Sequence, residues 1–332
     1  MTFAESGWIS SMYVMSDRMN PKAAAISWLA LAPLGALAVG PANQTAPSPA
    51  AIVQMRPHAG EVTVTATGSV IRKFTDSAGD GWLCVLTTDH VAEAGYTGIS
   101  FGDGNPAGNY FGGPETIIRR APLFGADLAV IGIKYGTPDS FFHALAPLQL
   151  LAANPNTRVG ASFTQFGYGY TGELDLALST MHTVARAGVS GFQNNRIERV
   201  RQFGSAFTPY SYTALEWDFN DPSSSGALFG EGSTFNGDSG SPYLIDSLSY
   251  VSVLDGTIMP VFTQGIMAVH AYGDGSTSHG WLGTGDHIPG GGVAITTEIA
   301  QWIDAQCLAV PAPGAFAIVA MGLCVRRGRS RG

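Results

Sequence analysis

Gly237-Asp238-Ser239-Gly240-Ser241-Pro242 is the stretch whose reading decides the fold. Glycines on both sides of Ser239 let the backbone turn sharply, expose the hydroxyl and aim neighbouring N–H groups to one side. A serine hydroxyl is a weak nucleophile; it needs a base to take its proton and a third group to orient that base. Both candidates lie upstream. In Leu86-Thr87-Thr88-Asp89-His90-Val91, His90 ends the strand-like segment from Trp82 to Thr88, and Asp127 opens the apolar run Asp127-Leu128-Ala129-Val130-Ile131.

The surrounding sequence reads as short strands. Val62-Thr63-Val64-Thr65-Ala66, Leu83-Cys84-Val85-Leu86-Thr87 and Gly265-Ile266-Met267-Ala268-Val269 are rich in β-branched or apolar residues and bounded by turn formers. One segment, Thr296 to Asp304, carries a helical period, with a hydroxyl cap ahead of apolar residues spaced i, i+3, i+4. The 43 Gly among 332 residues, with 45% apolar and 13% charged, suit tight turns better than helical bundles. A mostly-β core closed by one C-terminal helix is expected. Between Ile71 and Trp82, the residues Arg72 to Gly81 read as a lengthened hairpin. The net charge of −8 argues against nucleic acid, which needs clustered Lys and Arg. No Cys or Cys/His pair has zinc-ligand spacing, so no metal is expected, and Asp218-Phe219-Asn220-Asp221 reads as a capped turn rather than a calcium loop. Cys84 and Cys307 read as buried thiols.

Both ends look like addresses. Arg18 and Lys22 precede an apolar run from Ala23 to Val39, and Ala36-Leu37-Ala38 offers a small-x-small cleavage pattern, so residues 1–38 are expected to be a secretory signal. Met19 offers an alternative start, which would make residues 1–18 an overrun. Residues 39–51 follow as a linker or short propeptide. At the other end, residues 310–332 run from Val310-Pro311-Ala312-Pro313-Gly314 through an apolar segment to Arg326, Arg327, Arg329 and Arg331. That order resembles the PEP-CTERM sorting tails of bacteria, with Ala312 where Glu is usual. The resemblance implies transient membrane association with the Arg cluster held inside, cleavage by a sorting peptidase, and delivery to the cell envelope or outside.

The three segments around His90, Asp127 and Ser239 resemble, in that order, the motifs of chymotrypsin/trypsin-like serine proteases, and the resemblance spans residues 52–309. It implies two six-stranded antiparallel β-barrels with a C-terminal helix and an active site between the barrels. It further implies His90, Asp127 and Ser239 as catalytic residues and the N–H groups of Gly237 and Ser239 as the oxyanion hole. Ser233 would stand at the base of the specificity pocket, where its neutrality disfavours cleavage after Lys or Arg. Thr234, His270, Tyr272, Gly273 and Gly292 would line that pocket. Two preferences remain open: a medium apolar residue, or Glu held by His270 and Thr234. Ile52, freed by cleavage, would pair with Asp238 to activate the enzyme. Ala271 replaces a Ser that usually bonds the catalytic Asp, and Asp89 replaces a small residue before the His.

An exported serine endopeptidase acting on protein or peptide substrates is therefore expected, without a cofactor. The alternative is a catalytically idle protease-fold binding module at the cell envelope.

Overall fold

Residues 52–136 supply seven strands: β1 (Ile52–Arg56), β2 (Ala66–Thr75), β3 (Gly81–Thr87), β4 (Gly98–Phe101), β5 (Tyr110–Phe111), β6 (Ile117–Arg120) and β7 (Ala129–Gly136). They form one antiparallel sheet in the order β5-β4-β1-β2-β3-β7-β6. Every residue of β1 and β3 is buried; β3 accordingly reads as an unbroken apolar or small-residue run, whereas β1 also buries Gln54 and Arg56, the guanidinium donating to Gln54 Oε1 at 2.8 Å. The β2–β3 hairpin turns on Asp76, whose Oδ1 accepts the N–H groups of Ala78 and Asp80 while Oδ2 takes the indole N–H of Trp82. A polar side chain thus substitutes for missing backbone partners in the turn.

The second sheet contains β8 (Ser162–Gly167), β9 (Gly191–Arg196), β10 (Arg199–Gly204), β11 (Ser211–Phe219), β12 (Pro242–Ser252), β13 (Ile258–Gly273) and β14 (Ile288–Ala294). Its antiparallel order is β9-β8-β12-β13-β14-β11-β10, and Gln149–Leu150 adds a short parallel pairing on β13. Ala38–Val39, Thr171–Asp175 and Thr180–Val184 pair as a small third sheet. Among the described residues no ladder joins β5 to β6 or β9 to β10, so both sheet orders are open paths. The computed structural model describes residues 38–39, 50–59, 66–101, 110–121, 125–169, 171–175, 180–184, 191–204, 210–219, 228, 238–252, 258–273 and 288–309. Residues 1–37 of the expected signal, the expected sorting tail from 310, Ser233, Thr234 and Gly237 lie outside them.

Two short helices accompany the first sheet. Helix α1 (Asp89–Glu93) follows β3 directly, and α2 (Ser140–Ala144) is capped by Asp139, which accepts the N–H of Phe142 at 2.8 Å. Lys73 donates to the carbonyls of Phe142 and His143 at the far end of α2, both at 2.6 Å. Helix α3 (Thr297–Ala309) is the last described element, its first turn capped by Thr296. It runs five residues past the expected Asp304, because Ile299, Ile303 and Cys307 continue one buried stripe at a spacing of four.

That stripe overturns the reading of the cysteines as thiols. Cys84, at the middle of β3, and Cys307 form a disulfide with Cα atoms 5.7 Å apart across 223 residues of sequence. Both are fully buried. Docking α3 by Ile299 and Ile303 brings Cys307 onto β3, a juxtaposition that spacing in sequence does not encode.

The main core runs through both sheets and α3, with Leu83, Ile131, Tyr168, Val293 and Ile303 among its members. A second cluster inside the second sheet gathers Trp217, Tyr243 and Phe163, the last two stacked at 4.3 Å. Each such large side chain contributes about 1.5–3 kcal/mol by leaving water. The all-β class stands, as two antiparallel sheets and a closing helix.

Candidate active site

The first sheet contributes an acid and a base. β3 ends at Thr87 and α1 begins at Asp89, so His90 sits in the first turn of a helix launched from a buried strand. Asp127 stands just ahead of β7, the neighbour of β3, where the pairing of Thr87 with Ala129 brings the two strand ends together. The result is a double tie: Asp127 Oδ2 lies 2.7 Å from His90 Nδ1, and Oδ1 accepts the backbone N–H of His90 at 3.0 Å. The Asp127 side chain is 5% exposed and that of His90 38%. A buried carboxylate that accepts from Nδ1 fixes the tautomer with Nε2 unprotonated, free to act as a base. Both Asp127 oxygens are engaged by His90, and Ala271, where the family resemblance would put a partner Ser, is itself buried.

The turn that carries Ser239 comes from the second sheet. Asp238, Ser239 and Gly240 precede β12, and Gly240 adopts φ +86°, a left-handed conformation that disfavours any side chain. A Cβ there would also stand 2.0 Å from the Thr67 carbonyl and 2.2 Å from Thr87 Oγ1. The turn is therefore pressed against β2 and the end of β3, three residues from His90. Ser241 N–H returns to the Asp238 carbonyl, Gly240 N–H donates to the His270 carbonyl at 2.9 Å, and the Thr67 N–H donates to the Ser239 carbonyl at 3.0 Å. No hydrogen bond joins Ser239 Oγ to His90 among the described residues; such bonds are commonly long without substrate and tighten when it binds. Behind the turn, the Ser241 hydroxyl is bonded by the Gln165 amide, and Gln193 donates to Gln165 at 2.8 Å, all three buried.

Of the expected pocket residues, His270, Tyr272, Gly273 and Gly292 share the β13–β14 ladder, in which His270 opposes Gly292 and Gly273 opposes Gly290. His270 is 2% exposed, and burial, with the His90 charge adding to it, pushes its pKa down to about 3. It is neutral at pH 7. Trp217 donates its indole N–H to Tyr243 Oη at 2.9 Å, and Tyr243 Oη lies 2.9 Å from His270 Nδ1. The assignment that satisfies all three groups has the tyrosine hydroxyl donating to Nδ1, which leaves the proton of His270 on Nε2. Tyr272 is half-buried, donates to Glu216 Oε1 and rests 4.9 Å from the Phe203 ring.

Two clusters escaped the sequence reading. Glu216, fully buried on β11, is bonded by Arg199 Nε at 2.6 Å as well as by Tyr272. Arg199 also clasps Asp218 with both terminal nitrogens, at 2.8 and 2.9 Å, so Asp218 belongs to a strand and an ion pair rather than to the capped turn expected there. The alternation Arg199-x-Arg201 and Glu216-x-Asp218 on the two strands of one hairpin, in which Arg199 directly opposes Glu216, is the signal that could have found it. Beside His90, Asp89 receives the Tyr210 hydroxyl at 3.1 Å and has Arg120 Nε at 3.3 Å, an ion-pair contact. Burial raises the Asp89 pKa, with Tyr210 and Arg120 pulling the other way.

Ile52 lies within β1, and both it and Ala51 are 1% exposed. Asp238 is fully buried and accepts the Gly169 N–H at 3.1 Å. Among the described residues no group of three His, Cys, Asp or Glu could hold a metal ion. No protein-family model matches the chain, and no curated protein is similar to it.

Proposed function

We propose that this protein is an exported serine endopeptidase that cleaves peptide bonds through an acyl-enzyme, with Ser239, His90 and Asp127 as its triad. The observation that carries the reading is the double tie of Asp127 to His90, with the Ser239 turn pressed against the same strand end. In the proposed step Ser239 Oγ attacks the peptide carbonyl carbon and its proton passes to His90 Nε2. Asp127 stabilises the resulting imidazolium. The backbone N–H groups of Gly237 and Ser239 take the oxyanion; the leaving amine receives the proton from His90, and water then releases the acid by the reverse path. Two antiparallel sheets followed by a closing helix are consistent with the chymotrypsin/trypsin-like arrangement of two six-stranded barrels.

By the family resemblance Ser233 would stand at the pocket base, where its neutrality would disfavour Lys and Arg before the scissile bond. Between an apolar residue and Glu, the Nε2–H of a neutral His270 favours a side chain that accepts a hydrogen bond. A peptide library decides: preference for Glu that vanishes in His270→Ala supports the latter, and an apolar preference indifferent to that change rejects it. A buried disulfide supports an oxidising compartment, in line with a signal at 1–38 and a PEP-CTERM-like tail at 310–332 that a sorting peptidase would remove.

A fluorophosphonate probe tests the reading. Covalent labelling of Ser239 in folded protein, lost in Ser239→Ala and in His90→Ala, is the expected result. A folded protein whose Ser239 stays unlabelled is instead the idle binding module.

A further inference from the structure

The nucleophile turn is held by a residue of the other sheet. Thr67, fully buried on β2, donates its N–H to the Ser239 carbonyl at 3.0 Å, and its Oγ1 accepts the Tyr168 N–H at 3.0 Å. The next N–H along, that of Gly169, donates to Asp238 Oδ1 at 3.1 Å. Thr87 in turn fixes the Thr67 carbonyl from its own hydroxyl at 2.8 Å. One residue of the first sheet therefore grips Ser239 directly and, through the 167–169 turn, grips the carboxylate beside it. The fit is close: a Cβ at Gly167 would stand 2.3 Å from Asp238 Oδ1, and one at Gly169 would stand 2.5 Å from the same atom.

The segment that a cleavage-activated enzyme would free is meanwhile built into the sheet. Ala51 accepts the Val70 N–H at 2.7 Å through its carbonyl, Ile52 pairs with Ser69, and the Ile52 carbonyl accepts the Tyr168 hydroxyl at 3.4 Å. The peptide bond between Ala51 and Ile52 stands at the buried start of β1, with both residues 1% exposed, so a protease reaches it only after the start of β1 has peeled away from β2.

We propose that Thr67 is the positioning residue of the Ser239 turn and that, because Thr67 and the 167–169 turn already hold Asp238 and Ser239, the site is assembled in the uncut chain and needs no new terminus at Ile52. This rests on Ser239 being the nucleophile. Backbone groups around a nucleophile act by holding its N–H donors where charge develops, so loosening them lowers reactivity without abolishing the fold.

The test is the rate of fluorophosphonate labelling in full chain with the Ala51–Ile52 bond intact, checked by mass spectrometry of the labelled species. Label on Ser239 in uncut chain is expected. Thr67→Val keeps the shape and removes the hydroxyl; its labelling is expected to slow by roughly tenfold or more, a fraction of the 10²–10³ attributed to a whole oxyanion donor. Thr67→Ser restores the hydroxyl and is expected to return to within about threefold of wild type by the same scale. Thermal unfolding shows whether Thr67→Val is folded; if it is not, the Ser variant and the uncut-chain measurement still decide. Label confined to chains beginning at Ile52, or Thr67→Val labelling at the wild-type rate, overturns the proposal while leaving the serine hydrolase reading intact. No label in any form, cut or uncut, overturns both.

Discussion

The hydroxyl of Tyr210 donates to Asp89, the residue before His90, at 3.1 Å, joining the entrance of β11 in the second sheet to the first turn of α1 in the first. The neighbouring Ser211 N–H donates to the Gly125 carbonyl at 2.7 Å, two residues before Asp127. A single short segment thus braces the flanks of both members of the acid–base pair.

Tyr210→Phe keeps the ring and deletes that bond. Its cost follows the ionisation of Asp89, whose folded pKa is raised mainly by burial. A raised carboxylate pKa means that folding favours the protonated form, so its contribution to stability is present at low pH and is lost as pH rises from the unfolded value toward the folded one. The Tyr210 bond offsets part of that loss, because it stabilises the charged form. The variant is expected to lose about 1 kcal/mol near neutral pH, and the difference from wild type to shrink as pH falls through the carboxylate range. Urea unfolding at several pH values between 3 and 7 measures it, and a difference independent of pH contradicts it.

Asp127→Asn exchanges a carboxylate for an amide that can donate toward Nδ1, reversing the tautomer that leaves Nε2 free. With the N–H of His90 still bonded to the remaining oxygen, the fold is expected to survive. Labelling of Ser239 and peptide hydrolysis are expected to fall roughly 10³- to 10⁴-fold. Activity retained within tenfold would remove Asp127 from the mechanism.

The segments carrying His90 and Asp127 are conspicuous in the sequence because each chemical residue sits at the boundary of an apolar strand, where the chain is both well defined and open. The residues that hold Ser239 are not. Thr67 and Gly169 stand 172 and 70 positions from it, one in a strand and one in a turn that differ from any others only by what they touch. The Arg199–Glu216 cluster lies between these cases: its alternation is visible, but the burial that makes it consequential comes from β14 and Tyr272 packing over the hairpin. Spacing likewise offered no hint that Cys84 meets Cys307, since only the docking of α3 creates the pair.

His270 imposes an acid limit on the folded state. Its pKa is depressed to about 3 by burial, so folding favours the neutral ring. Such a group stabilises fully above its unfolded pKa of about 6.5, and that contribution is lost as pH falls below this value toward the folded pKa. Wild-type unfolding midpoints in urea are expected to drop between pH 6.5 and 4, and His270→Gln to show a flatter dependence over the same window. Parallel profiles for the two proteins would show that His270 does not set the limit.

Replacing both Cys84 and Cys307 by Ala removes a cross-link closing a very long loop, and the chain-entropy estimate for such a loop is about 5 kcal/mol. The midpoint of denaturant unfolding is expected to fall accordingly under non-reducing conditions, and to match that of the reduced wild-type protein. Equal midpoints for wild type and the double variant would mean that the bond does not form.

The same disulfide closes the chain between Cys84 and Cys307 into a covalent ring, with β1 and β2 on the arm that precedes it. His90, Asp127, Ser239 and every strand of the second sheet lie within the 223-residue interval that it spans, so a single nick anywhere between Cys84 and Cys307 opens the ring without releasing a fragment. A chain nicked inside that interval keeps its mass on a non-reducing gel and reveals the cut only when thiol is added, and a cut between His90 and Ser239 leaves the piece carrying one leashed to the piece carrying the other.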